Sequence, residues 1–158
     1  MTNKTILSAL FASSVALASG LTALYAHATE LTVFKSPSCG CCSEWAERLA
    51  DQGIHSRMED YEDLAGLKKT LGIGTDVRSC HTAVSDDGFV FEGHVPARYI
   101  EQYLAAPPAD SIGLSVPAMP VGSPGMEMGK RFMPYQVLLL NKDGSHSVFA
   151  EVNSPADQ

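Results

Sequence analysis

Three of the four cysteines fall within four positions, Cys39-Gly40-Cys41-Cys42. A thiolate attacks disulfides and binds soft metals. Cys39 and Cys42 make a C-x-x-C pair, the spacing of redox dithiols. Cys41 is an extra thiol between them that a simple dithiol does not need. The fourth cysteine stands in Ser79-Cys80-His81-Thr82. A chain that returns this loop to the first turn gathers four thiols, a donor set for Cu(I), zinc or an iron–sulfur centre. Zinc would take four cysteines tetrahedrally. Met119, Met126, Met128 and Met133 follow on a loop rich in Gly and Pro. A thioether is a good Cu(I) ligand and a poor zinc ligand, so the combination points to copper.

Met119, Met126 and Met128 are counted as candidate ligands, against the plainer reading that methionines fill a gap between tail and core. For Met133 the plainer reading is preferred. His81, beside Cys80, is a candidate to ligate or orient the site. His94, in Gly93-His94-Val95-Pro96, ends a strand near the same region, but a structural role is preferred for it. His55 and His146 read as solvated surface, and Trp45 as core packed behind the thiols. The run Glu59-Asp60-Tyr61-Glu62-Asp63 is most simply a solvated face.

The elements that must position these residues follow from the pattern. Glu30 to Lys35 is a buried strand, broken by Ser36-Pro37-Ser38, with Ser38 a candidate N-cap. A helix runs from about Cys42 to Asp51, with Trp45 and Leu49 inward, and stops at Gly53. Its positive N-terminal end favours thiolate over thiol. A weaker strand, Ile54 to Tyr61, precedes a short helix, Asp63 to Leu71, with Leu64, Leu67 and Leu71 at helical spacing. A strand near Thr82 to Ser85 turns at Asp86-Asp87-Gly88 into a returning strand, Phe89 to Val95. Pro96 opens a helix over Ala97 to Ala105, and Pro107-Pro108 end it.

This β-α-β-α-β-β-α order, with a thiol motif after the first strand, resembles the thioredoxin fold. The expected class is α/β, with a C-terminal extension rich in Gly, Pro and Met, and a hairpin. Thioredoxins carry a cis-proline in the loop before the third strand, and His81 occupies that position here. Gly113 to Met133 reads as a loop ordered only by packing. Tyr135 to Leu140 and Ser145 to Val152 read as a hairpin, and residues 153–158 as frayed. The expected division is 1–28 leader, 29–106 thioredoxin-like domain and 107–158 extension reaching the metal site.

Lys4, the apolar stretch Ile6 to Ala18 and the cleavage pattern Ala26-His27-Ala28 mark a signal peptide, so the mature chain is expected to start at Thr29. Losing Lys4 and no acid takes the net charge from −7 to −8. An acidic domain has no electrostatic footprint for nucleic acid. No later run is long enough to span a bilayer. Export places the cysteines in an oxidising compartment, where they would ordinarily form structural disulfides. Three thiols on one turn close no useful loop, which argues against that default.

Lys35-Ser36-Pro37-Ser38-Cys39-Gly40-Cys41-Cys42, Ser79-Cys80-His81-Thr82, Gly93-His94-Val95-Pro96 and Met119-Pro120-Val121-Gly122-Ser123-Pro124-Gly125-Met126-Glu127 together resemble the CopG-like periplasmic CxCC proteins. The resemblance implies a thioredoxin-like domain whose extension helps bind copper. It also implies a part in bacterial copper resistance, interconverting Cu(I) and Cu(II) near an efflux system or copper chaperone. Ala118 stands where the family's turn is expected to carry glycine.

On this reading Cys39, Cys41, Cys42 and Cys80 hold copper, His81 and a tail methionine complete the site, and Cys39 and Cys42 are the redox pair. A monomer is expected. A metal-free thiol–disulfide oxidoreductase, a non-catalytic copper store or chaperone, and a static zinc site remain the rivals.

Overall fold

A computed structural model describes residues 29–158. The expected signal peptide falls on residues 1–28, outside the described residues. The architecture is mixed α/β: one seven-stranded sheet in the order β2-β1-β3-β4-β5-β6-β7, with three α-helices.

Strand β1, Glu30–Lys35, alternates buried and partly exposed residues, with Leu31 and Val33 in the core. It pairs parallel with β2, His55–Asp60, and antiparallel with β3, Thr82–Ser85. Between β1 and β2 runs α1, Gly40–Ala50. It buries Cys42, Trp45 and Leu49, one stripe at helical spacing. The helix starts earlier than its apolar pattern indicates. Cys39, not Ser38, is the N-cap, and no side chain caps the end. The Cys39 amide instead closes a turn onto the Ser36 carbonyl at 3.0 Å.

Helix α2, Leu64–Thr70, is capped by Asp63, whose carboxylate accepts from the Gly66 amide at 2.8 Å. The expected inward leucines, Leu64, Leu67 and Leu71, are only half-buried, and the residue α2 buries is Lys68. Strand β4, Val90–Glu92, is shorter than the expected 89–95. The Gly93 amide turns to the His81 carbonyl at 3.0 Å, and the Val95 amide bonds to the Gly93 carbonyl at 2.9 Å. This turn takes His94 out of the strand and leads the chain to α3, Ala97–Ala105.

The extension is more ordered than its composition indicates. Strand β5, Ser111–Ser115, is parallel to β4 and takes in Gly113 to Ser115, the start of the expected Gly113–Met133 loop. Gly113 disguised it, yet a Cβ there would run into the Val90 backbone, so the close approach of two strands requires glycine. Strands β6, Tyr135–Asn141, and β7, His146–Val152, continue the same sheet. The C-terminus is tied down rather than frayed. Ser154 and Asp157 form a capping box, the Tyr99 hydroxyl donates to the Asp157 carbonyl at 2.7 Å, and Gln158 donates to the Gly122 carbonyl at 2.7 Å. Among the described residues no helix is long and apolar enough to cross a membrane.

Candidate metal centre

The strand-to-helix turn sets Cys39 at the α1 N-cap and Cys41 and Cys42 in its first turn. Cys39 and Cys42 form a disulfide, with Cα atoms 5.5 Å apart. Cys41 and Cys80 are free and half-buried. Cys41 Sγ lies 3.7 Å from Cys39 Sγ, and Cys80 Sγ lies 3.7 Å from Cys42 Sγ. All four sulfurs fall within 4.8 Å of one another. The loop before β3 therefore returns Cys80 to the thiol turn.

A second group shares Cys80. His81 Nδ1 is 3.3 Å and His94 Nε2 3.2 Å from its sulfur, and the three ligand atoms again fall within 4.8 Å of one another. Both imidazoles are fully buried. His94 Nδ1 is 2.7 Å from the Pro124 carbonyl. A carbonyl only accepts, so Nδ1 carries the hydrogen and Nε2 presents its lone pair to Cys80. The His81 ring rests on Trp45 with centroids 4.4 Å apart, and the Trp45 indole donates to the Val95 carbonyl at 2.9 Å. Trp45 thus packs against the His81 ring.

Burial dominates the electrostatics. It pushes the Cys80 thiol up to about 12, with the neighbouring Cys41 adding to the rise and Ser79 and Lys68 opposing it. Burial also lowers His81 well below its ordinary value, helped by His94 and Lys68, and lowers His94. Both imidazoles are therefore neutral at neutral pH, the form that ligates metals.

The loop bearing Cys80 is braced by charges that no motif announces. Glu92, fully buried on β4, pairs with Lys68 and accepts from the Ser79 amide and the Thr82 hydroxyl, each at 2.6 Å. The only sequence signal was an acid at the end of an otherwise apolar strand. His94 was the other residue underweighted, because its place depends on the Gly93 turn and on a carbonyl thirty positions away.

The tail closes over the site from two directions. The Ala118 amide donates to the Arg78 carbonyl at 3.2 Å, and the Ser79 hydroxyl donates to the Ala118 carbonyl. Gly125 lies flat on α1, where a Cβ would come within 2.9 Å of the Cys41 carbonyl and 2.5 Å of the Trp45 amide. Met126 follows Gly125 directly, in a turn where the Gly122 amide donates to the Met126 carbonyl at 2.9 Å. Met119, one residue beyond Ala118, is half exposed. Met128 is half exposed, and its sulfur accepts from Arg131 at 3.4 Å. Met133 does not fill a core gap as expected; it is 55% exposed.

Two solved structures match this chain in sequence and fold. One, a copper resistance protein CopG in form 1, is 41% identical with a TM-score of 0.74; the match covers 80% of this chain and 98% of that one. The other, the same protein in form 2, is 40% identical with a TM-score of 0.75, covering 80% and 99%. The chain belongs to the CopG family. Residues 77–126 of this CopG-family chain also match a family model described as a protein of unknown function, DUF411. That segment holds Cys80, His81, His94 and the turn through Met126, while Cys39, Cys41 and Cys42 precede it. No curated protein matches the chain.

Proposed function

We propose that this CopG-family protein binds copper at Cys39, Cys41, Cys42 and Cys80, with His81, His94 and a tail methionine from Met119, Met126 and Met128 completing the ligand set. The observation that carries the reading is the compact group of four sulfurs within 4.8 Å. Thiolates this close can share soft cations, and Cu(I) is the cation that thiolates and thioethers both favour. The two matched structures are of a copper resistance protein, which favours the same metal.

Copper here is cargo and substrate. Reduced Cys39 and Cys42 can pass two electrons to two Cu(II) ions, yielding two Cu(I), one Cys39–Cys42 disulfide and two protons. The reverse step oxidises Cu(I) and restores the dithiol. The disulfide bridging these residues supports their role as the redox pair. The parallel pairing of β1 with β2 and the antiparallel β3 and β4 support a thioredoxin-like domain over residues 29–106, with 107–158 as its metal-site extension. Residues 1–28 are proposed to direct export and be cleaved, giving a monomeric periplasmic protein that exchanges copper with an efflux system or chaperone.

Anaerobic reduced protein (residues 29–158) should take up Cu(I) in a chelator competition, and replacing all four cysteines by serine should abolish it. Adding Cu(II) to the reduced protein should yield Cu(I) and consume two thiols. Uptake that survives loss of the cysteines would sink the copper reading. Uptake without thiol loss would reduce the protein to a store or chaperone.

A metal-free thiol–disulfide oxidoreductase is the second reading, favoured by the same disulfide. It predicts a disulfide reductase activity that Cys39→Ser abolishes, while Cys41→Ser and Cys80→Ser leave turnover near the wild-type rate.

A further inference from the structure

The ion pair Lys68–Glu92 is buried almost completely, with side chains 5% and 0% exposed. Removing two charges from water is costly, and well-packed apolar residues would often be at least as stable. Stability alone is therefore a weak reason for α2 to turn a lysine inward. The contacts of the pair converge on one residue. Glu92 accepts from the Ser79 amide at 2.6 Å, and Lys68 donates to the Ser79 carbonyl at 2.8 Å. Both backbone polar groups of Ser79 thus end on the pair, and that carbonyl belongs to the peptide that begins Cys80. The Ser79 hydroxyl takes a third anchor on the Ala118 carbonyl. On the other side of Cys80, the His81 carbonyl accepts from the Gly93 amide, next to Glu92, at 3.0 Å.

We propose that Lys68 and Glu92 are a positioning pair that clamps the Ser79 backbone on both sides and holds Cys80 Sγ against Cys42 and His94. The proposal rests on reading Cys80 as a copper ligand. Neither residue touches the metal site directly; both act through the backbone of Ser79. Gripping the amide and carbonyl of Ser79 fixes the two peptide planes that flank it, and the second of these sets the direction of the Cys80 side chain.

The test compares wild type with Lys68→Met combined with Glu92→Gln, which removes both charges at once and leaves no unpaired buried ion. Arg57→Met, at the exposed pair Arg57–Glu59, is the control. In reduced, metal-free protein, Cys80 should alkylate about tenfold faster relative to Cys41 in the double variant, since loosening a loop opens it to solvent. Cu(I) affinity should fall about 10–100-fold, the usual effect of losing a group that orients a ligand. The control should change neither. An unchanged alkylation ratio and an affinity within about twofold of wild type would overturn the proposal. Wild-type hydrogen exchange supplies a reading even if the double variant does not fold. The Ser79 amide should be protected like the core strands, and exchange at the rate of an open loop would refute the clamp. If wild type takes up no Cu(I), the copper reading fails, while the alkylation ratio and exchange still judge the clamp.

Discussion

His94 Nε2 stands 3.2 Å from Cys80 Sγ while its other nitrogen donates to the Pro124 carbonyl at 2.7 Å. One imidazole therefore joins the loop before β3 to the C-terminal tail and aims its free lone pair at a thiol.

Replacing His94 by alanine should weaken Cu(I) binding by about 10–100-fold, the range for losing a ligand or its orienting partner. His94→Gln offers no imidazole lone pair and should be weakened similarly. A Cu(I) competition titration checks both. Wild-type affinity in both variants would return His94 to the structural role first preferred for it.

The raised Cys80 acidity constant sets a direction with pH. With its value near 12, the thiol keeps its proton at neutral pH, and a bound metal must displace that proton. Apparent affinity for Cu(I) should therefore rise with pH. The slope for Cys80→Ser should be shallower by about one proton, a tenfold change per pH unit. The same shift bears on stability. A thiol whose folded value is raised from 9.0 to about 12 contributes its stability in full below 9.0 and loses it as pH rises through that window. Metal-free protein with the Cys39–Cys42 disulfide intact should become easier to unfold with urea between those limits, and Cys80→Ser should remove that part of the dependence.

Much of this site could be read from spacing, because consecutive residues on a helix start must share a turn. Cys39, Cys41 and Cys42 needed only the strand before them and the helix after them. Cys80 and His81 followed from the expected order of elements. His94 and Glu92 were harder. Their roles depend on the Gly93 turn and on partners contributed by α2 and the tail, and such pairings leave no local period. Strand β5 was hidden for the opposite reason. Gly113 reads locally as a loop residue, and its meaning appears only when Val90 of the neighbouring strand is seen beside it. Residues 153–158 looked free until the Ser154–Asp157 cap and the Tyr99 contact gave them partners.

Gly125→Ala should separate tail closure from the thiol turn. Gly125 has φ +80°, and a Cβ there would sit 2.5 Å from the Trp45 amide. The tail cannot keep its place on α1, and the strain costs on the order of 1–3 kcal/mol. Thermal unfolding should show the loss. Cu(I) affinity should drop while all four cysteines remain titratable in the denatured protein. A normal midpoint would mean that the tail does not press on α1 in solution.

Ala118 gives a prediction in the stabilising direction. Its φ is +59°, a left-handed conformation that costs an L-residue roughly 1–2 kcal/mol. The backbone is held there from both sides, since its amide donates to the Arg78 carbonyl and its own carbonyl accepts from Ser79. Glycine adopts this conformation without the steric cost but surrenders about 0.4–1 kcal/mol through its freer unfolded chain. The two effects oppose, and the strain is the larger. Ala118→Gly should therefore stabilise the protein by up to about 1 kcal/mol, seen as a higher urea midpoint with an unchanged slope. Because the gain comes from relieving the same turn, Cu(I) affinity should stay at the wild-type value or rise slightly. A lower midpoint would mean that the Pro117–Pro120 turn relaxes out of the left-handed region in solution.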